Sequence, residues 1–320
     1  MFRNLFKARG PISLGRNTWG RPPTRIIVRP TTGYQRFQSN REPFYNRKQF
    51  WIGAGIFGGL SGTYYVTHLE TVPISGRRRF MDISPSQEEK LSKMSYQEII
   101  QEYGHQILPP NHRYSRWVSD VAQRIIRVSG MDDLKWEVHV IDSPERNAFV
   151  LPGGKVFVFT GILPIVQSKD GMAAVLGHEV AHQVARHSAE KMSYMKILFL
   201  FQLFLDVALG MPFALNRLFL ELGVVLPFSR KCEVEADMIG LQLMAQACYD
   251  PYEAVRMWER MSQAEKGAPP QYLSTHPNNE SRISKINEWM PQALQTRANS
   301  DCDTDMMGLA EKFKKHWVSW

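Results

Sequence analysis

His178-Glu179-Val180-Ala181-His182 constrains this chain more than any other stretch, because it ties two side chains to one point in space. On a helix turning by about 100° per residue, positions four apart end about 40° apart, so both imidazoles leave the same face and can share a metal ion. Glu179, one place past the first His, is set to take a proton from an attacking water rather than to bind the metal. Two His do not close a tetrahedral zinc site. The chain has to fold back and bring a third ligand.

The motif helix does not supply that ligand by a glycine turn and a third His ten residues after the first, since position 185 is Ala and position 188 is Ser. His187 lies five residues past His182, roughly 140° around a continuing helix, and is expected to face solvent or the core edge. The stronger source is Arg230-Lys231-Cys232-Glu233-Val234-Glu235-Ala236-Asp237, in which Glu233 and Asp237 share a helix face. One of these carboxylates can complete a two-His, one-carboxylate site while the other accepts the free ring N–H of a ligating His. Glu235, roughly 200° from Glu233, is expected at the surface. Either motif alone has an ordinary reading, a chance match or a charged helix face, and their conjunction is what carries weight. Asp170 is a candidate cap for the motif helix, and Val175, Leu176, Val180 and Val184 form the apolar stripe that would bury it.

Three blocks, Asn147 to Leu163, Gly177 to His182 and Ser229 to Asp237, together with His276-Pro277 and Arg282-Ile283, resemble the HtpX and CAAX prenyl protease family of zinc peptidases in content and order. The resemblance covers roughly residues 95 to 290. It implies a gluzincin-type metallopeptidase with one zinc ion per chain, held by His178, His182 and Glu233, with Asp237 behind the ligands and Glu179 as general base. It further implies that His276 donates to the tetrahedral oxyanion and that Arg282 belongs to the substrate-binding set. Within the family, the N-terminal features look most like the mitochondrial inner-membrane members. That likeness implies quality control or regulated processing of inner-membrane protein substrates, with the peptidase domain facing the intermembrane space.

Charge separates the chain into two parts. The whole sequence is +8, but residues 1 to 50 hold eleven Lys and Arg against one acid, Glu42, which leaves 28 basic and 30 acidic side chains beyond them. The folded part therefore lacks a nucleic-acid footprint, and no nucleic-acid partner is expected. An Arg-rich, acid-poor start with Phe2, Leu5 and Phe6 on one face and Arg3 and Lys7 on another reads as a mitochondrial transit peptide, placed at 1–48 with its basic arm.

Phe50 to Thr67 follows as eighteen uncharged residues, short but sufficient for a single membrane span, placed at 49–68. Trp51, Tyr64 and Tyr65 sit near its ends, and the pairs Gly55/Gly59 and Gly58/Gly62 suit close approach of another helix, so a homo-oligomer through this segment is one expectation. A juxtamembrane linker, 69–94, leads to the peptidase domain, 95–299. Within it, 197–228 is apolar but divided by Gly210 to Pro212. Because it separates His182 from Glu233, it cannot cross a membrane an odd number of times. A hairpin in contact with membrane lipid is expected there, with a buried core hairpin as the alternative.

The expected fold class is α+β, mainly helical with a small sheet and one preceding transmembrane helix. Capping boxes are read at Ser84 to Gln87 and Ser95 to Glu98, and a helix over Trp117 to Val128 closed by Gly130. Strands are expected at Trp136 to Ile141 and Lys155 to Phe159, and helices from Asp250 and over Asn279 to Trp289. Asn147 to Val150 is expected as an edge strand above the metal, so Asn147 and Ala148 are assigned to pairing with substrate backbone. Cys232, Cys248 and Cys302 are expected as three free thiols, the alternative being one bridge to Cys302. Residues 300–320 read as an amphipathic tail. A second functional class, a membrane scaffold or holdase with a structural zinc site, stays open at this level.

Overall fold

The computed structural model describes residues 46–72, 74–131, 133–209, 225–264, 276, 280–300 and 302. The expected transit segment up to residue 45, the divide at Gly210 to Pro212 and the tail beyond residue 302 lie outside the described residues. Two compact units are distinguished, Met1–Phe57 and Gly58–Trp320. The expected membrane segment forms a helix, α1 (Lys48–Thr67), with none of its residues buried. No helix among the described residues is long and apolar enough to cross a membrane, which corrects the expectation of a spanning helix. The reason lies in composition: Gly53, Gly55, Gly58, Gly59 and Gly62 carry no side chain to add apolar surface.

Beyond α1, a short antiparallel hairpin of β1 (Leu69–Thr71) and β2 (Arg78–Phe80) precedes α2 (Pro85–Tyr103). Ser84 and Gln87 form the expected capping box, but Ser95 falls inside α2, so one helix runs where two starts were read. Helix α3 (Arg113–Val128) ends as expected, with Gly130 at a positive φ of 69°. A three-stranded sheet follows, made of β3 (Glu137–Ile141), β4 (Ala148–Leu151) and β5 (Lys155–Phe159) in the order β3-β5-β4. β3 runs parallel to β5 and β4 antiparallel, which makes β4 an edge, the position expected of Asn147 to Val150. The β4–β5 turn uses Gly153 and Gly154, both at φ 85°, where a side chain would be strained.

The remaining elements are helical: α4 (Leu163–Val166), α5 (Lys169–Val184), α6 (His187–Leu209), α7 (Leu226–Gln246), α8 (Tyr252–Ala264) and α9 (Glu280–Ala298). Helix α5 is central and packs on α7, α3, α8 and β4. Its N-cap is Ser168, whose hydroxyl accepts from Gly171 N, and not Asp170, which accepts from the backbone N–H of Asp250. Val175, Leu176 and Val180 are wholly buried, each contributing about 1.5–3 kcal/mol that fixes the helix in place.

One contact sets the site. A Cβ at Gly177 would lie 2.8 Å from Gly240 O, and one at Gly240 would lie 2.8 Å from His178 N. Helices α5 and α7 therefore cross backbone to backbone at glycines, immediately beside His178 and three residues past Asp237. Cys248 ends α7 in a left-handed turn at φ 69° and is joined to Cys302, which follows α9, while Cys232 is free and buried. This corrects the expectation of three free thiols. The turn after α7 and the end of α9 are adjacent only once the helices pack, so spacing along the chain could not reveal the pair.

Candidate metal centre

Across the glycine crossing, α5 presents His178, Glu179 and His182, and α7 presents Glu233 and Asp237, all but His182 nearly inaccessible. His178 Nε2 lies 3.1 Å from His182 Nε2 and 3.3 Å from Glu233 Oε2, and His182 Nε2 lies 3.5 Å from Glu233 Oε1. His276 joins them, its Nδ1 3.2 Å from His178 Nε2 and 3.1 Å from Glu233 Oε2. The four donors fall within 4.8 Å of one another. A tetrahedral zinc ion with bonds of about 2.0–2.2 Å has ligand–ligand edges of about 3.3–3.6 Å, so this nitrogen and oxygen set fits zinc in chemistry and in size.

Electrostatics agree with a cation site. Burial opposes the charged form of His178, but Asp237 and then Glu233 outweigh it and raise its pKa to about 9. His182 is held well below the ordinary value by burial and by the charge of its neighbour His178. Burial also opposes the Glu233 carboxylate, and hydrogen bonds from His178 and His276 overcome it, lowering its pKa.

Around this centre the other site residues take distinct places. Asp237 Oδ1 sits 3.0 Å from His178 Nδ1, as expected of a carboxylate behind a ligand. Arg282, placed with substrate on the strength of the family pattern, is instead 2% exposed and donates to both oxygens of Asp237 at 2.7 Å. Its guanidinium lies 4.1 Å from the centre of the Trp258 ring. A cation so enclosed steadies Asp237 and does not face an incoming chain. His276 Nε2 approaches Glu179 Oε1 at 3.5 Å, so the ring bridges the ligand cluster and the expected base. Asn147 precedes β4 and its carbonyl accepts from Phe159 N at 3.0 Å, while Ala148 is wholly buried. The Asn147 carbonyl is therefore turned to β5 and the Ala148 side chain to the core, so neither faces the free edge of the sheet.

Two residues differ from their expected positions, His187 because its helix breaks and Glu235 because His187 and Arg77 cover its face. The motif helix stops at Val184, and Arg186 takes a left-handed φ of 50°, so the rotation of about 100° per residue does not carry through to His187. His187 Nδ1 lies 2.9 Å from His182 Nδ1, and its Nε2 lies 3.0 Å from Glu235 Oε2. Glu235 is accordingly 5% exposed and not a surface acid. It also accepts from Arg77 Nε at 2.8 Å and from Nη2 at 2.6 Å.

The model of peptidase family M48 matches residues 112–290, more than half of the chain and all of the residues above except Arg77. The mitochondrial metalloendopeptidase OMA1 of Schizosaccharomyces pombe is 50% identical over 89% of this chain and 84% of its own. The protein of that name from Saccharomyces cerevisiae is 40% identical over 78% of this chain and 76% of its own. Human mitochondrial metalloendopeptidase OMA1 is 36% identical over 80% of this chain and 52% of its own. With the two-helix ligand set already assembled, the chain belongs to peptidase family M48, as a metalloendopeptidase of the mitochondrial kind.

Proposed function

We propose that the protein is a zinc endopeptidase of the mitochondrial inner membrane that cleaves membrane-associated proteins in quality control or regulated processing. His178, His182 and Glu233 would hold the zinc, one ion per chain, which supplies a Lewis acid for the scissile carbonyl and acidifies water. Glu179 takes the proton from the attacking water on its carboxylate and returns it to the leaving amine. The observation that carries this reading is Glu179 itself, 3% exposed beside a set of four metal donors.

That fourth donor bears on the alternative of a scaffold with a structural zinc. Closure by four protein ligands is the habit of structural sites, and His276 completes such a set here. A structural site has no use for a buried carboxylate next to its ligands, and Glu179 favours catalysis. His276, whose Nε2 lies 3.5 Å from Glu179 Oε1, would serve either as a fourth ligand or as a donor to the developing oxyanion. An extended substrate would pair with the free edge of β4, which favours unfolded segments of varied sequence.

Placement rests on the basic N-terminus and on exposed apolar surface. Trp51, Ile56, Phe57 and Leu60 of α1 are more than half exposed, as are Phe199 and Leu200 of α6. We assign membrane contact, short of a span, to the exposed apolar face of α1, with a second copy of the chain against Gly55 and Gly59, where an added Cβ would meet nothing within 4 Å. The domain bounds proposed are those read from sequence except that 49–68 is not taken as a span, with lipid contact at 197–228 and the peptidase domain in the intermembrane space. Incubation of the purified chain with an unfolded inner-membrane protein tests the activity. Cleavage should stop on chelation and return with zinc; persistence without metal refutes the reading. Digestion of the domain by added protease once the outer membrane alone is opened tests the placement, and shielding at that stage would put the site in the matrix.

A further inference from the structure

The two metal-facing His rings are braced on their far sides by different means. Behind His178 stand Asp237 and Arg282. Behind His182 stands His187, then Glu235, then Arg77, which reaches in from the β1–β2 hairpin. With His182 ligating through Nε2, the second chain runs in one direction. Glu235 is acceptor only, so His187 Nε2 carries the proton toward it at 3.0 Å. A His182 that ligates through Nε2 carries its ring proton on Nδ1, and His187 Nδ1, 2.9 Å away, is the acceptor placed to receive it. With its proton held there, His182 turns the lone pair of Nε2 to the ligand cluster.

Glu235 is itself immobilised. Ser75 Oγ donates to Oε1, and Arg77 donates to Oε2 through Nε and Nη2. Arg77 also donates from Nη1 and Nη2 to the two oxygens of Glu190 on α6, each at 2.6 Å. His187, Glu190 and Cys232 lie close enough to suggest a second metal site, but the Arg77 guanidinium already supplies the cation between Glu190 and Glu235. Arg79 of the same hairpin donates to Ala185 O, the turn that lets His187 fold back.

We infer that His187 is a positioning residue for the metal ligand His182, held in register by Glu235 and by Arg77 from outside the helical core. The inference rests on the zinc reading above and concerns how tightly and in what geometry the ion is held. A role confined to packing predicts something different, since Leu has nearly the volume of His and fills the same space.

The test compares the full-length chain in detergent with His187→Leu, His187→Asn and Glu235→Gln, using zinc competition against a chromophoric chelator and the visible spectrum of the cobalt-loaded protein. Melting of the metal-free forms controls for folding. Leu removes the acceptor and should weaken zinc binding by about 10- to 100-fold, whereas Asn offers an oxygen near the place of Nδ1 and should lose less than about threefold. Zinc affinity of the Leu variant within about threefold of wild type, or equal losses in Leu and Asn, overturns the inference. Should Leu fail to fold, Glu235→Gln decides the matter, because it keeps the shape and weakens only the acceptor. It should loosen zinc by about three- to tenfold and shift the cobalt bands, and no change in either refutes the role. Failure of the wild-type chain to bind zinc would remove the zinc reading itself, an outcome distinct from a variant that binds normally.

Discussion

Helices α5 and α6 are neighbours in sequence and opposites in what they bury. Twelve of the sixteen residues of α5 are buried, among them His178, Glu179 and Gln183. In α6, Gln202 is buried while Met195, Phe199, Leu200, Phe201 and Leu203 stand exposed. Each inverts the usual rule, which keeps polar groups wet and large apolar groups dry. A buried ionisable group is tolerated when it is paired or bound to a metal, and an exposed apolar face persists when something other than water covers it. The inversion on α5 is the one proposed above to carry chemistry, and that on α6 the one proposed to meet lipid.

The comparison is broken most severely at Glu179. Glu179→Gln should retain about one zinc per chain and lose peptide cleavage by about 10²- to 10⁴-fold, measured by metal analysis alongside a fluorogenic peptide. Cleavage near the wild-type rate would strip α5 of its catalytic reading. At the crossing, Gly177→Ala and Gly240→Ala each push a methyl to 2.8 Å from opposing backbone. Each should cost about 1–3 kcal/mol of stability and weaken zinc binding, read by thermal melting and chelator competition. A variant of unchanged stability would mean that the helices can part without harm.

The α6 side is sharpened by Phe199→Glu with Leu200→Glu in a chain lacking residues 50–67. Binding to phosphatidylcholine–cardiolipin vesicles should fall by about tenfold or more, with hydrolysis of a soluble peptide unchanged. Equal flotation of both proteins would make that face something other than a lipid contact. The smallest effect concerns pH. Burial opposes the Glu235 carboxylate, but hydrogen bonds from His187, Arg77 and Ser75 bring its pKa down from 4.5 to about 2. A depressed folded value means the contribution is complete above pH 4.5 and is lost as pH falls toward 2. The metal-free Glu235→Gln protein should accordingly show a shallower loss of melting temperature across that window than wild type.

What the sequence disclosed was whatever obeys a regular period. The spacings of His178 to His182 and of Glu233 to Asp237 lie within single unbroken helices, so rotation alone put their side chains on common faces. β3 and β5 followed from alternation and the Gly153-Gly154 turn. His187 departs from its expected place because the left-handed Arg186 interrupts the helix on which its angle was counted, whereas Glu235 keeps its angle on the unbroken α7 and is buried because His187 and Arg77 cover that face. No period connects Arg77 to Glu235, 158 residues apart, and only tertiary packing makes them neighbours. The absence of charge in Phe50 to Thr67 read as a span, and the apolar surface that its glycines subtract is what that reading left out.

The bridge from Cys248 to Cys302 closes a covalent ring around α8, His276, Arg282 and α9. By loop-closure entropy, a ring of this size is worth about 4 kcal/mol against unfolding. Its topology also changes what damage looks like. A single backbone cut anywhere inside the ring would leave both pieces in one molecule, so that a nicked chain keeps its full mass on a non-reducing gel and falls into two fragments only after reduction.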